Sequence, residues 1–260
     1  MDDTETLALV GAVGGAGTTR TAAECGAALA RAGRDVAVLD AAYATRGLSE
    51  LVAGRIDPDV TALCLDPERP LAEGLYDLDL PVAGRVALAP ARAPFERVAR
   101  AKAVEPARAF EARVAEAGRA FDHVLVDTPP IAANQAVAAV QAVDRVALVA
   151  PDTDHGADGV HRQLDALRDV EASDTDPLTV AVGATDGGAT AGADAVVPSG
   201  PPRLTDAPAC LDDDRFAEAV VDAAETLFGT DLAVEFETDG VIERVRAGVG
   251  RVRDGDDPEE

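Results

Sequence analysis

Short apolar runs alternate with stretches of helical periodicity along most of the chain. The runs at Leu7 to Val13, Asp35 to Asp40, Arg85 to Ala89, His123 to Asp127, Arg145 to Ala150 and Leu178 to Gly183 predict strands. Helices are predicted between them, at Thr19 to Ala32, Pro106 to Ala120, Asn134 to Val143, Ala157 to Val170 and Arg215 to Phe228. Parallel strands covered on both faces read as near-continuous apolar runs, and HVLVD and RVALVA have that character. The alternation predicts an α/β fold, a mostly parallel sheet with helices on both faces. The stretch Ala184 to Pro208 is rich in glycine, proline and small residues; it is expected to be irregular, with Ala195 to Val197 as a further strand, and to be a loop region and not a domain boundary.

A chain of 260 residues is long enough for one substantial domain with a full core. Forty-eight acidic against 23 basic side chains give a formal charge of -25, with an ordinary 47% of apolar residues, so the acid belongs to a folded surface and not to disorder. Lys102 is the only lysine. This composition suits a protein of molar salt, where the Debye length is about 3 Å and the acidic repulsion is screened. It argues against direct nucleic-acid binding and leaves room only for local arginine contacts to phosphate. Cys25, Cys64 and Cys210 lie far apart, with neither zinc spacing nor a disulfide framework, and are expected to be buried thiols of a reducing cytoplasm. The first residues lack a basic region, and no run approaches the ~18 apolar residues of a membrane span.

The most informative stretch is VGAVGGAGTTRTAAECGAALARAG, Val10 to Gly33. A strand, then Gly14, Gly15 and Gly17, then Thr18 and Thr19 opening a helix would turn backbone amides and a helix N-terminus toward an anion. Two further strands carry aspartates at their carboxyl ends, Asp40 in VAVLD and Asp127 in FDHVLVDTPP. In an open α/β sheet these ends face one crevice. The Thr19 hydroxyl and the Asp127 carboxylate are hard oxygen groups suited to magnesium on a nucleotide.

On these segments the chain resembles the MinD/ParA family of deviant Walker-A P-loop ATPases, over about Thr4 to Phe228, with FDHVLVDTPP as the most specific match. The resemblance implies a three-layer P-loop NTPase fold. It implies a nucleotide-binding loop of Gly14, Gly15, Ala16, Gly17, Thr18 and Thr19, magnesium on Thr19 and Asp127, and ATP or ADP as candidate cofactors. Asp40 would be the catalytic-site acid. It also implies a dimer, either with a second copy or with a lysine-bearing relative.

The family pattern KGGxGKTT falls on Val13 to Arg20, so Val13 and Thr18 occupy both lysine positions. Arg20 lies two residues beyond the second, about 200° around the helix, and is no evident surrogate. The family's second acid after the second strand is Ala42 here, the glycine that often follows DTPP is Ile131, and the usual base-reading asparagine is absent from GATDGG. Phosphoryl transfer depends on cations that meet developing charge, and loss of one such donor commonly costs about 10²-fold or more. Efficient hydrolysis is therefore not expected.

His123, His155 and His161 show no convergent spacing and are read as surface or boundary residues. No G-x-S-x-G elbow or Cys/His pairing supports a hydrolase. The stretch Gly240 to Arg253 predicts a basic amphipathic helix: Val241, Ile242, Val245, Val249 and Val252 fall within about a 100° arc, flanked by Arg244, Arg246, Arg251 and Arg253. Such a helix is a candidate for peripheral membrane contact or for docking on its own domain or a partner.

The organisation expected is a P-loop domain over 1–230, an extension over 231–253 and an acidic, disordered tail over 254–260. The reading is a cytoplasmic positioning or partitioning protein, peripheral at the membrane if the extension binds lipid, with weak or absent hydrolysis. Two alternatives stay open: an active ATPase cycling on membrane or chromosome, and a nucleotide-free interaction scaffold.

Overall fold

The computed structural model describes residues 5–172, 176–184, 188–190, 192–238 and 241–244. Eight strands form the central sheet: β1 (Glu5–Gly11), β2 (Asp35–Asp40), β3 (Tyr76–Asp77), β4 (Arg85–Ala89), β5 (His123–Thr128), β6 (Arg145–Pro151), β7 (Leu178–Val182) and β8 (Ala195–Val197). Their spatial order is β3-β4-β2-β5-β1-β6-β7-β8. Every neighbouring pair is parallel except β3 with β4, at one edge.

The helices are α1 (Thr18–Arg31), α2 (Val60–Leu65), α3 (Phe95–Ala101), α4 (Val104–Ala117), α5 (Asn134–Gln141), α6 (Asp154–Asp169) and α7 (Asp214–Phe228). Successive strand residues point to opposite faces, so each strand feeds two cores. Leu7, Leu9, Val36, Val38 and Leu125 pack under α1 and α7, against Cys25, Leu29, Val220 and Leu227. Ala8, Val10, Leu39, Val126 and Leu148 pack on the other face, against Leu63, Phe110, Val114 and Leu167. All three cysteines are buried. This is the expected three-layer α/β architecture, and no helix among the described residues is long and apolar enough to cross a membrane.

Two local expectations are corrected. The first strand ends at Gly11 and not at Val13, because only the Ala12 amide continues the ladder, to the Val149 carbonyl at 2.8 Å. The helix expected over Gly240 to Arg253 is absent where the residues are described: Val241, Ile242 and Arg244 belong to β10 (Val241–Arg244), antiparallel to β9 (Glu235–Thr238). β-branched Val241 and Ile242 favour extended backbone, and the Asp239-Gly240 dipeptide before them is a strong hairpin signal. Val245, Arg246, Val249, Arg251, Val252 and Arg253 lie outside the described residues.

Candidate functional site

The turn from β1 into α1 is built by glycine. Gly15 (φ 75°) and Gly17 (φ 92°) hold left-handed backbone that side chains disfavour, and Gly17 starts α1 with no side-chain cap. The first amides of a helix have no intrahelical acceptor. Among the described residues, none takes the amides of Gly14 to Arg20. Gly14 and Gly15 are exposed, and a Cβ on either would meet nothing within 4 Å. Open amides and the positive end of the α1 dipole therefore face one side of a cavity of about 310 Å³, lined by the loop, Ala42, Thr45, Asp127 to Pro130, Pro202 and Leu204.

β2 and β5 bring Asp40 and Asp127 into register as direct neighbours. Asp127 lines the cavity and accepts a 2.6 Å hydrogen bond from the Thr19 hydroxyl. Burial pushes its pKa up to about 6, and the Thr19 bond opposes that rise. Asp40 lies behind the cavity, fully buried, and accepts from the amides of Ala42 at 2.8 Å and Ala91 at 3.0 Å. Burial, and then repulsion from Asp127, raise it well above the usual carboxylate range, against the pull of the two amides. As placed, Asp40 joins the loops after β2 and β4.

The oxygens of Thr19 and Asp127 suit a hard divalent cation, and a buried carboxylate whose ionised form is poorly solvated would be relieved by one. Among the described residues no three His, Cys, Asp or Glu side chains group as a metal site. Magnesium at nucleotide sites commonly draws its remaining ligands from phosphate and water.

The positions held by lysine in KGGxGKTT carry no charge here. Val13 is 8% exposed and sits on α6, where a Cβ at Gly159 would come within 2.6 Å of its Cγ1. Thr18 is buried, with its hydroxyl oxygen 3.0 Å from where a Cβ on Gly11 would stand. Arg20 is the one cation among the described residues lining the cavity. Its Nη1 donates to Glu24 at 3.3 Å and its Nη2 to the Arg203 carbonyl. The loop glycines, Thr18, Thr19 and Asp127 are thus brought together, and Asp40 stands one strand behind. The tail residues contribute nothing that the structure describes at this site.

Sequence reasoning missed the wall made by Pro202 and Leu204 and the Arg20–Glu24 pair behind it; the i, i+4 spacing was the available signal. The histidines do not converge. His123 is buried edge-on to Phe228, ring centroids 4.8 Å apart, while His155 and His161 are exposed on α6. Burial lowers the His123 pKa, with the Arg34 charge adding to it.

No family model matches the chain, and no curated protein matches it in sequence. Solved structures do match. The septum site-determining protein MinD of Pyrococcus horikoshii, complexed with Mg-ADP, is 18% identical and superposes with a TM-score of 0.71, covering 85% of this chain and 95% of that one. MinD in the MinC:MinD complex of Aquifex aeolicus is 20% identical with a TM-score of 0.70, over 88% and 97%. An aspartate-to-alanine variant of Cyanothece McdA, in complex with ATP, is 20% identical with a TM-score of 0.58, over 70% and 72%. At these identities it is the fold that is shared: over most of its length, this chain has the α/β fold of MinD and McdA.

Proposed function

We propose that this chain is a MinD/ParA-type nucleotide-binding protein of spatial positioning, which holds an adenine nucleotide with magnesium and hydrolyses it weakly or not at all. One observation carries the reading. The open amides of Gly14 to Thr19 share a cavity with the Thr19–Asp127 pair, and neither Val13 nor Thr18 brings a cation to it. In the fold's solved examples, MinD was captured with Mg-ADP and a McdA variant with ATP.

In this reading Gly14, Gly15, Ala16 and Gly17 present backbone donors to the phosphates, and the α1 N-terminus adds its dipole. Thr18 offers its amide and hydroxyl. Thr19 and Asp127 hold magnesium, which when bound neutralises phosphate charge. Asp40 ties the loops after β2 and β4 beside Asp127, and Ala42 places a methyl where the family pattern has an acid. Among the described residues no free side-chain cation then meets the charge that develops on a transferring phosphoryl group, because the guanidinium of Arg20 is committed to Glu24 and Arg203. A dimer partner that carries the missing lysine would supply that charge. The nucleotide unit is residues 1–230, with 231–253 an appended segment and 254–260 an acidic tail.

Equilibrium titration of ADP and ATP in multimolar KCl, with and without magnesium, tests the reading. Saturable, magnesium-dependent binding at one site is expected, with turnover at background. Absence of binding would favour the scaffold alternative, and magnesium-dependent turnover abolished by Asp40→Ala would show a live ATPase.

A further inference from the structure

The stretch 199–213, between β8 and α7, forms one wall of the pocket through Pro202 and Leu204. Among the described residues, the backbone hydrogen bonds of 199–208 stay within the stretch. Ala209, Cys210 and Leu211 pack against the core, and the polar ties of the stretch to the body, among the described residues, come mainly from charged side chains on one side of α1. Arg20, Glu24 and Arg31 fall within about 40° of one another at 100° per residue.

Glu24 is fully buried, a costly place for a carboxylate unless it is well bonded. Its oxygens accept from the amides of Ala209 at 2.9 Å and Cys210 at 3.0 Å, the opening amides of a 3-10 turn, and from Arg20 Nη1 at 3.3 Å. Arg20 also donates to the carbonyl of Arg203, the residue between Pro202 and Leu204. Gly200 lies directly on this side chain: a Cβ there would stand 3.2 Å from Nη1 and 3.3 Å from Cδ. Arg31 adds a longer contact, from Nη1 to the Cys210 carbonyl at 3.4 Å.

We infer that Arg20 and Glu24 form a latch that sets the 199–211 wall, and that Arg20 governs nucleotide affinity through the wall and not through the phosphates. Arg20 stands where KGGxGKTT ends in threonine, and threonine is too short to span from α1 to the wall. This rests on the nucleotide reading of the pocket. A ligand of phosphate alone uses only the amide cradle and is indifferent to the latch. A nucleoside, extending away from the cradle, needs the wall in place.

Cys210 reports on the latch without any nucleotide. Its thiol is 1% exposed and donates to the Glu24 carbonyl at 3.5 Å. Burial, and then the Glu24 charge, push its pKa up, so alkylation requires the stretch to open. Cys25 and Cys64 are internal controls. The variants are Arg20→Met on α1 and Gly200→Val on the wall. The test combines iodoacetamide labelling resolved by peptide mass, in multimolar KCl, with titrations of ADP and of pyrophosphate, each with magnesium.

Cys210 labelling should rise about 10-fold or more in both variants, with Cys25 and Cys64 unchanged. ADP should weaken about 10-fold, because the wall must be ordered on binding, and pyrophosphate should stay within about twofold. Unchanged Cys210 labelling in both variants overturns the latch. Equal weakening of ADP and pyrophosphate also overturns it, by showing that Arg20 acts on the phosphates. If Arg20→Met labels all three thiols together, it has unfolded, and Gly200→Val decides. A parent chain that binds neither ligand refutes the nucleotide reading, while the labelling still judges the latch.

Discussion

Asp127→Asn should make the protein more stable and a poorer binder of Mg-ADP at the same time. Asp127 is 1% exposed, beside buried Asp40, and its pKa is pushed from 3.8 to about 6. Below pH 3.8 the group is protonated in both the folded and the unfolded chain and carries no penalty. Between 3.8 and about 6 the unfolded chain releases a proton that the folded chain keeps. Stability falls by about 1.36 kcal/mol per pH unit over that window, ~3 kcal/mol in all, and stays lower above it. Asparagine keeps an acceptor for the Thr19 hydroxyl and removes the charge. At pH 7.5 the variant should therefore be more stable by ~2–3 kcal/mol, on the order of 5–10 °C in Tm for a chain of this size. The two chains should converge near pH 4. Thermal unfolding at fixed multimolar KCl and pH 4, 5, 6 and 7.5 measures this, and titration with Mg-ADP should show weaker binding by the variant. A variant no more stable at pH 7.5, or a difference that ignores pH, would refute the reasoning.

Thr18→Lys should tighten ADP by about 10-fold, since a charge-assisted contact is added to donors already in place; titration under identical salt that shows no gain would mean the cavity does not receive phosphate. Gly159→Ala should cost ~1–3 kcal/mol of stability in denaturant unfolding, because its methyl would fall 2.6 Å from Val13 Cγ1 and 2.7 Å from the Ala12 carbonyl; an unaffected variant would show that the loop is not braced by α6. A chain ending at Asp239 should pellet with anionic vesicles no more and no less than the full chain, as fits a strand at Val241–Arg244; tail-dependent pelleting would instead support membrane contact by the tail.

Much of this fold was legible because parallel strands covered on both faces announce themselves: Asp35–Asp40, Arg85–Ala89 and Ala195–Val197 match their predicted bounds. The Gly14 to Thr19 loop and Asp127 were legible because conformation and chemistry restrict the residue types there. Other features were set by tertiary contacts. α2 and α3 span six and seven residues, too short for helical periodicity to register, and α2 depends on the buried cap Asp59, which accepts the Ala62 amide. The 3-10 turn at Ala209–Leu211 draws its cap from Glu24, 185 residues away in sequence. The role of Arg20 was not legible because one of its partners, the Arg203 carbonyl, is distant in sequence; the other is its helix neighbour Glu24. The valine pattern after Gly240 fitted a helix on the wheel, yet Val241 and Ile242 are β-branched and their strand partner lies just upstream.

The central claim, that the chain holds nucleotide and turns it over weakly or not at all, is tested most directly by one single-turnover measurement. Protein in excess is mixed with γ-labelled ATP and magnesium in multimolar KCl, passed rapidly over a desalting column and quenched at intervals. ATP should elute with the protein and be recovered intact over many minutes. Inorganic phosphate appearing in step with retained ADP, or no nucleotide carried through the column, would contradict the account.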